Sequence, residues 1–241
     1  VPDLDLTEDE TLYPYLREGE RETLDYAIKK THFDGLDLVP ANLRLFQSEY
    51  ELAARMARGQ GTLLNRLAQG IASVSDLYDV VVLDPPPALG AISLSVLRAA
   101  NALVVPVPPT VMDFSSTAAF LAMLDETIED LKSYDLAPQL SFLRFVASRV
   151  DENKSMQKGL LDLMRQLYGN AMIRTPLKDS AEIDNATARL MTVYELDGPM
   201  TSKQVRDRCL TYLDGVCGEI EVDIRRTWPS HLGRLRKEGL A

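Results

Sequence analysis

Tyr78-Asp79-Val80-Val81-Val82-Leu83-Asp84-Pro85-Pro86-Pro87-Ala88-Leu89-Gly90 is the stretch whose reading decides the fold. Four apolar residues in succession, three of them β-branched, suit a strand covered on both faces, as in a parallel sheet flanked by helices. The run closes on a carboxylate, and three prolines then stop it, because proline has no N–H to give to a ladder. Ligands bind at the carboxyl ends of strands in open α/β sheets, so Asp84 stands at the ligand end. The same residues also fit a buried strand whose last Asp caps a turn.

Upstream, Gly35 to Pro40 spells a short strand stopped by proline. Asn42 opens a helix whose apolar positions Phe46, Tyr50, Ala53 and Ala57 recur at i, i+4, i+7 and i+11. Gly59-Gln60-Gly61 breaks it, and Leu64, Leu67, Ile71 and Val74 mark a second amphipathic helix that delivers the chain to Tyr78. Strand, helices, strand predicts a right-handed crossover. Before Gly35 the chain is acidic and mixed, with short helices expected over Thr11 to Leu16 and Arg21 to Lys30, and no chemistry is assigned there. His32 has no ligand-type neighbour in sequence and reads as a surface or boundary residue.

Downstream, Ile92 to Ala100 is helix-like and Ala102 to Val107 is a strand. A long helix follows from Asp113, which with the serines after it is the expected N-cap; its apolar face is Phe120, Met123, Leu124, Ile128 and Leu131. Leu140 to Val150 is a further strand, ending in Arg149-Val150-Asp151. Lys154 to Tyr168 is an amphipathic helix built on Leu160, Met164 and Leu167. Ala171 to Thr175 is a short last strand, with Pro176-Leu177-Lys178 at its carboxyl end, again the ligand side. Asp179 to Leu190 reads as a helix carrying Arg189. The last long helix starts at Thr201, which makes a capping-box pattern with Gln204, and its stripe is Val205, Cys209, Leu213, Val216, Ile220 and Ile224. The expected organisation is a variable helical segment over 1–34, an α/β core over 35–200, and a helix with a basic tail over 201–241.

Composition bounds the function. The chain has 241 residues, 46% of them hydrophobic, enough for a sizeable core. Its two cysteines, Cys209 and Cys217, lie eight apart on the last helix and read as reduced. No apolar run approaches a membrane span and no signal peptide is visible, so the expected compartment is the cytoplasm, with no membrane partner. A net charge of −10 excludes a binder that relies on an overall basic field. Any DNA contact must come from a local cluster. Arg225, Arg226, Arg234, Arg236 and Lys237 form the candidate, with Lys178 and Arg189 secondary.

Asp-x-Pro-Pro after an apolar strand, then Leu89-Gly90, then the strand Ala102 to Val107, resembles the ParA/MinD family of deviant P-loop ATPases. Within it, the likeness is to the plasmid partition proteins of replication–partition operons. Gly35-Leu36-Asp37-Leu38-Val39-Pro40-Ala41-Asn42-Leu43, Phe145 to Val150, Leu160 to Tyr168 and Thr175 to Lys178 extend the resemblance over nearly the whole chain. It implies ATP and Mg²⁺ as cofactors, Asp84 as the acid on the Mg²⁺ side, and a γ-phosphate-sensing switch from Pro86 to Gly90. It also implies base contacts from Arg149 with Pro176 and Leu177 at the nucleotide. The expected assembly is a homodimer that binds DNA without sequence preference and answers to a centromere-binding partner. The resemblance departs upstream: neither a Gly-Lys-Ser/Thr phosphate loop nor the acidic Asp-x-Asp-Pro-Gln switch that normally follows it occurs in the sequence. The fold expected is therefore a P-loop NTPase-like α/β sheet lacking its first strand–loop–helix unit, the part of such a protein downstream of its phosphate loop. A natural relative without the loop is the alternative. Other readings are a different ATP-dependent enzyme of the superfamily, of the amidotransferase or ligase kind, and a nucleotide-free binding module.

Overall fold

The computed structural model describes residues 7–17, 21–86, 88–133, 135–197 and 200–227. The chain divides into two units: residues 1–101 with 126–139, and residues 102–125 with 140–241.

In the first unit, helix α1 (Tyr13–Leu16) and a two-strand hairpin, β1 (Lys29–Lys30) with β2 (Asp37–Leu38), precede the helices. The expected helix over Arg21 to Lys30 is not formed. Asp25–Ala27 makes one 3-10 turn, and Lys29–Lys30 pairs antiparallel with β2 across Gly35, whose φ of 78° suits a residue without Cβ. The strand predicted from Gly35 is thus only two residues long. Helix α2 (Leu45–Met56), helix α3 (Asn65–Ser73) and helix α4 (Ala91–Ala99) follow. Leu64, Leu67 and Val74 are buried as expected, packed with Tyr15, Leu16 and Leu24 or with Leu131 and Leu136. The face predicted for α2 is the wrong one. Phe46 and Tyr50 are 61% and 78% exposed, and α2 turns Ser48 and Leu52 inward instead, where Leu52 meets Ala91 and Ile92 of α4. Two stripes compete on that helix, and packing against α4 selected the Leu45–Ser48–Leu52 one.

The second unit is the α/β part. Strand β3 (Ala102–Val107) pairs in parallel with β4 (Phe142–Ala147), from Ala102 opposite Phe142 to Val107 opposite Ala147. The chain near Met172 and Lys178 bridges the far side of β4, also in parallel, so β4 is flanked on both edges. Among the described residues β3 has a ladder partner on one side only, and Pro106 is tolerated there because an edge strand can spare an N–H. Alternation along β4 sorts its side chains between two layers. Phe145 and Ala147 face a core with Phe114 and Leu121 of α5 (Val111–Ser133) and Leu161 and Met164 of α6 (Ser155–Tyr168), where Phe145 stacks on Tyr168 at 3.9 Å between ring centres. Val146 faces the other way, onto Ile173, Val216 and Ile220. This is the predicted α/β class: parallel strands with helices on both faces. Helix α7 (Ala181–Thr187) and helix α8 (Lys203–Thr227) complete the unit, α8 supplying Val216 and Ile220.

Two caps differ from expectation. Thr110, not Asp113, caps α5: its hydroxyl accepts from the Asp113 N–H and donates to the Asp113 carboxylate, a capping pair displaced by three residues. Ser202, not Thr201, stands before α8 and accepts from the Val205 N–H. Along α8, Cys209 and Val216 are buried but Val205 is 43% exposed. In α6, Leu161 and Met164 face the core, whereas Leu167 is 61% exposed. Both cysteines are free.

Candidate functional site

The residues singled out in sequence fall into two groups, one in each unit.

In the first unit, Tyr78 is anchored: its hydroxyl donates to the Asp37 carboxylate at 2.6 Å, and Lys30 pairs with the same group at 2.7 Å. The hydrogen bonds from Lys30 and then from Tyr78 hold the Asp37 carboxyl below its usual range. Beyond Tyr78 the expected buried strand does not form. Val80 to Asp84 carries no ladder, and Val80, Val81 and Val82 are 47%, 45% and 87% exposed. A strand buried on both faces needs a neighbour on each edge, and no described residue supplies one here. Asp84 lies exposed at the end of this stretch. After it, the Pro86 carbonyl accepts from the Ala88 N–H at 2.8 Å, and the Ser93 hydroxyl donates to the Ala88 carbonyl. Gly90 then starts α4 with extended backbone and no side-chain cap of its own. The cap comes from elsewhere. The Glu49 carboxylate of α2 accepts from the Ala91 N–H at 2.5 Å and from the Ile92 N–H at 3.0 Å. Sequence reasoning missed Glu49. The second stripe of α2, Leu45, Ser48 and Leu52, sets Glu49 at the edge of the buried face, but nothing in the sequence pattern pairs it with the start of α4.

In the second unit, Arg149, Pro176, Leu177 and Lys178 come together at the carboxyl end of β4. The Ser148 N–H donates to the Val107 carbonyl, the Leu177 N–H to the Ala147 carbonyl at 2.7 Å, and the Val150 N–H to the Leu177 carbonyl. Three backbone segments are thereby laced into one surface. Arg149 is exposed on it with φ 53°, a left-handed conformation that a side chain with a Cβ resists. Such strain gathers at functional positions. Lys178 is already engaged, paired with Glu152 at 2.6 Å and set 4.3 Å from the centre of the Tyr212 ring. Burial opposes its charge, but the hydrogen bonds with Glu152 and Tyr212 outweigh burial and raise its pKa. Beside it, the N–H of Asn153 holds the Asp151 carboxyl below its usual range.

Of the cations proposed for DNA, those in the described residues already have local partners. Arg189 is exposed, with one guanidinium N–H on the Asn185 carbonyl. Arg225 pairs with Glu221, and Arg226 lies 3.5 Å from Asp223, both arginines on the exposed last turn of α8. Arg234, Arg236 and Lys237 lie outside the described residues.

A metal would find no protein cage here: no group of three or more His, Cys, Asp or Glu is assembled among the described residues. Asp84 fits the role of a single acid beside a Mg²⁺ whose other ligands are phosphate oxygens and water, the usual arrangement for that ion. No helix among the described residues is long and apolar enough to cross a membrane.

A family described as an AAA domain matches residues 4–140, more than half of the chain. The chain belongs to that family, in its ParA/MinD-type P-loop branch. It is 29% identical over 231 residues to a putative replication protein A of Rhizobium rhizogenes, covering 94% of this chain and 57% of the relative. It is 30% identical over 226 residues to protein SopA of Escherichia coli strain K12, covering 91% and 57%. Among solved structures, a partition protein superposes with a TM-score of 0.63 at 23% identity, over 81% of this chain and 52% of that one. The chain thus spans little more than half the length of the curated relatives it matches.

Proposed function

We propose that this chain is the portion downstream of the phosphate loop in a ParA-type partition ATPase, a cytoplasmic protein that dimerises with ATP and Mg²⁺ and binds DNA without sequence preference. The observation that carries the proposal is the stretch from Val80 to Asp84. An apolar strand sequence, ending in an acid and leading into Pro86 to Gly90, stands largely exposed and without a ladder partner among the described residues of a chain of this family. A strand placed alongside would cover Val80 to Val82 and bring a phosphate loop beside Asp84.

In this assignment Asp84 serves the Mg²⁺, Pro86 to Gly90 sense the γ-phosphate, and Arg149 with Pro176 and Leu177 meets the base. Mg²⁺ supplies charge stabilisation on the transferring phosphoryl group. Arg225, Arg226, Arg234, Arg236 and Lys237 are the DNA cluster, Lys178 and Arg189 its outliers, and dimerisation brings two such clusters together. A centromere-binding protein is the expected partner.

The test uses the protein extended upstream to the length of its relatives. Asp84→Ala is expected to lower ATP turnover about a hundredfold or more, with the fold intact by circular dichroism. Turnover near the parental rate would remove Asp84 from the Mg²⁺ site. The 241 residues alone are expected to bind ATP only weakly in calorimetry, because neither the loop amides nor the lysine that cradle the phosphates are in the sequence. Replacing the five tail cations by alanine should flatten the salt dependence of DNA affinity, since fewer counterions are released.

A further inference from the structure

We propose that Glu49 is a latch: its two hydrogen bonds hold the first turn of α4, and the Ala88 and Gly90 approach to it, in one position, and without them that turn opens locally. Helix α4 begins with amides that have no intrahelical partner, and Gly90 offers no side chain to satisfy them. The Glu49 carboxylate, reaching across from α2, accepts from two of these amides at once. A carboxylate at a helix start gains both from charge-assisted bonding and from the helix dipole.

Gly90 supplies an independent observation. A Cβ at this position would lie 2.0 Å from Oε1 and 2.6 Å from Cδ of Glu49. The backbone of residue 90 and the carboxylate therefore share one space, and only glycine leaves it open. The loop itself is tied to the helix so capped: Ser93, buried in α4, donates to the Ala88 carbonyl, and the Ala88 N–H turns back on Pro86. Ala88 is consequently tied to the start of α4, and the start of α4 is held by α2 through Glu49 and the Leu52–Ala91–Ile92 contact. Of these two ties, the apolar one is insensitive to direction, whereas the two hydrogen bonds fix the position of the first turn.

The inference deepens the proposed function in one respect, since on that reading the latched loop is the γ-phosphate sensor. Its test needs no nucleotide, so the latch and the ATPase assignment fail separately. Amide hydrogen exchange is followed residue by residue in the 241-residue chain. Glu49→Ala is expected to speed exchange at Ala91 and Ile92 about tenfold or more while the amides of α3 keep their protection. Gly90→Ala, which evicts the carboxylate without removing it, is expected to give the same local effect. The double variant should exchange no faster than Glu49→Ala alone, because both changes break one contact. Unchanged exchange at Ala91 and Ile92 in Glu49→Ala overturns the latch. So does an additive double variant, and so does a loss of protection spread equally over α3 and α4, since a latch acts locally.

Discussion

Val80-Val81-Val82-Leu83 and the run Leu143-Arg144-Phe145-Val146-Ala147 are both mainly apolar, strand-forming sequences, the first in the mainly helical unit and the second in the α/β unit. The first is exposed, with Val82 at 87%; the second is the centre of its unit, with Phe145, Val146 and Ala147 all at 5% or less. The more strongly β-branched of the two is the one without a ladder. What separates them is supply of neighbours. Strand β4 has β3 on one edge and the Met172 to Lys178 segment on the other, while no described residue pairs with Val80 to Leu83. An apolar run therefore states a capacity for sheet, and burial is conferred by partners distant in sequence.

That contrast gives the largest expected effect. Phe145→Ala removes a ring packed against Tyr168 and should cost about 3–5 kcal/mol in urea unfolding. Val82→Ala, by contrast, should stay within about 0.5 kcal/mol in this chain. A large cost at Val82 would mean that the stretch is covered after all, and the contrast would collapse. In the longer protein the same Val82→Ala change should become costly, which sharpens the comparison.

Next in size is the docking of α8 behind β4. Arg144 and Asp223 form a bidentate pair, 2.6 and 2.7 Å, with side chains 23% and 8% exposed. Asp223→Ala strands the guanidinium, and because Arg144 keeps some contact with water the loss should fall near 3 kcal/mol, the low end for such a pair. A midpoint shift in urea with an unchanged slope would register it.

The same contact carries a pH dependence. The hydrogen bonds from Arg144 hold the Asp223 carboxyl below its ordinary 3.8. Burial opposes the charge of Glu219, but the N–H groups of Arg174 and Thr175 and the Thr175 hydroxyl prevail, and its pKa too lies below its ordinary 4.5. Depressed carboxyls stabilise the fold fully above their unfolded values and lose that contribution as pH falls through the folded ones. Stability should thus decline below about pH 4.5, and Asp223→Asn should show a shallower decline than wild type in acid titrations. Equal slopes would take the pair out of the acid response.

The elements legible in sequence were those whose partners lie within one unit of pattern. Strands β3 and β4 and helices α4 and α6 fall where periodicity and prolines place them. Misreadings arose where two solutions coexisted locally. The Phe46–Tyr50 stripe of α2 is as regular as Leu45–Ser48–Leu52, and only the packing of Leu52 on α4 decides between them. Lys29–Lys30 lies in a helix-like pattern, yet the turn at Gly35 brings it to Asp37–Leu38. At the site, Arg149 with Pro176 to Lys178 could be grouped in advance because strand ends of parallel sheets share a side. Glu49 could not, because its role depends on an orphan helix start 42 residues away in sequence. No periodicity encodes such a contact.

The smallest effect concerns the end of β4, where the comparison turns from burial to strain. Asp84 ends its stretch without a positive φ, whereas Arg149 ends its own at φ 53° between two backbone-bonded neighbours, Ser148 and Val150. A left-handed residue with a Cβ costs about 1–2 kcal/mol. Glycine relieves that cost but adds freedom to the unfolded chain, worth about 0.5–1 kcal/mol the other way. Arg149→Gly should therefore stabilise the chain by about 0.5–1 kcal/mol, while Arg149→Ala, which keeps the strain, should leave stability nearly unchanged. Thermal unfolding of the two variants side by side resolves the difference. If alanine and glycine behave alike, the conformation carries no strain and Arg149 is an ordinary surface arginine. If glycine and alanine both weaken ATP binding by the longer protein, the guanidinium is the group that meets the nucleotide, since both changes remove it and only one relieves the backbone.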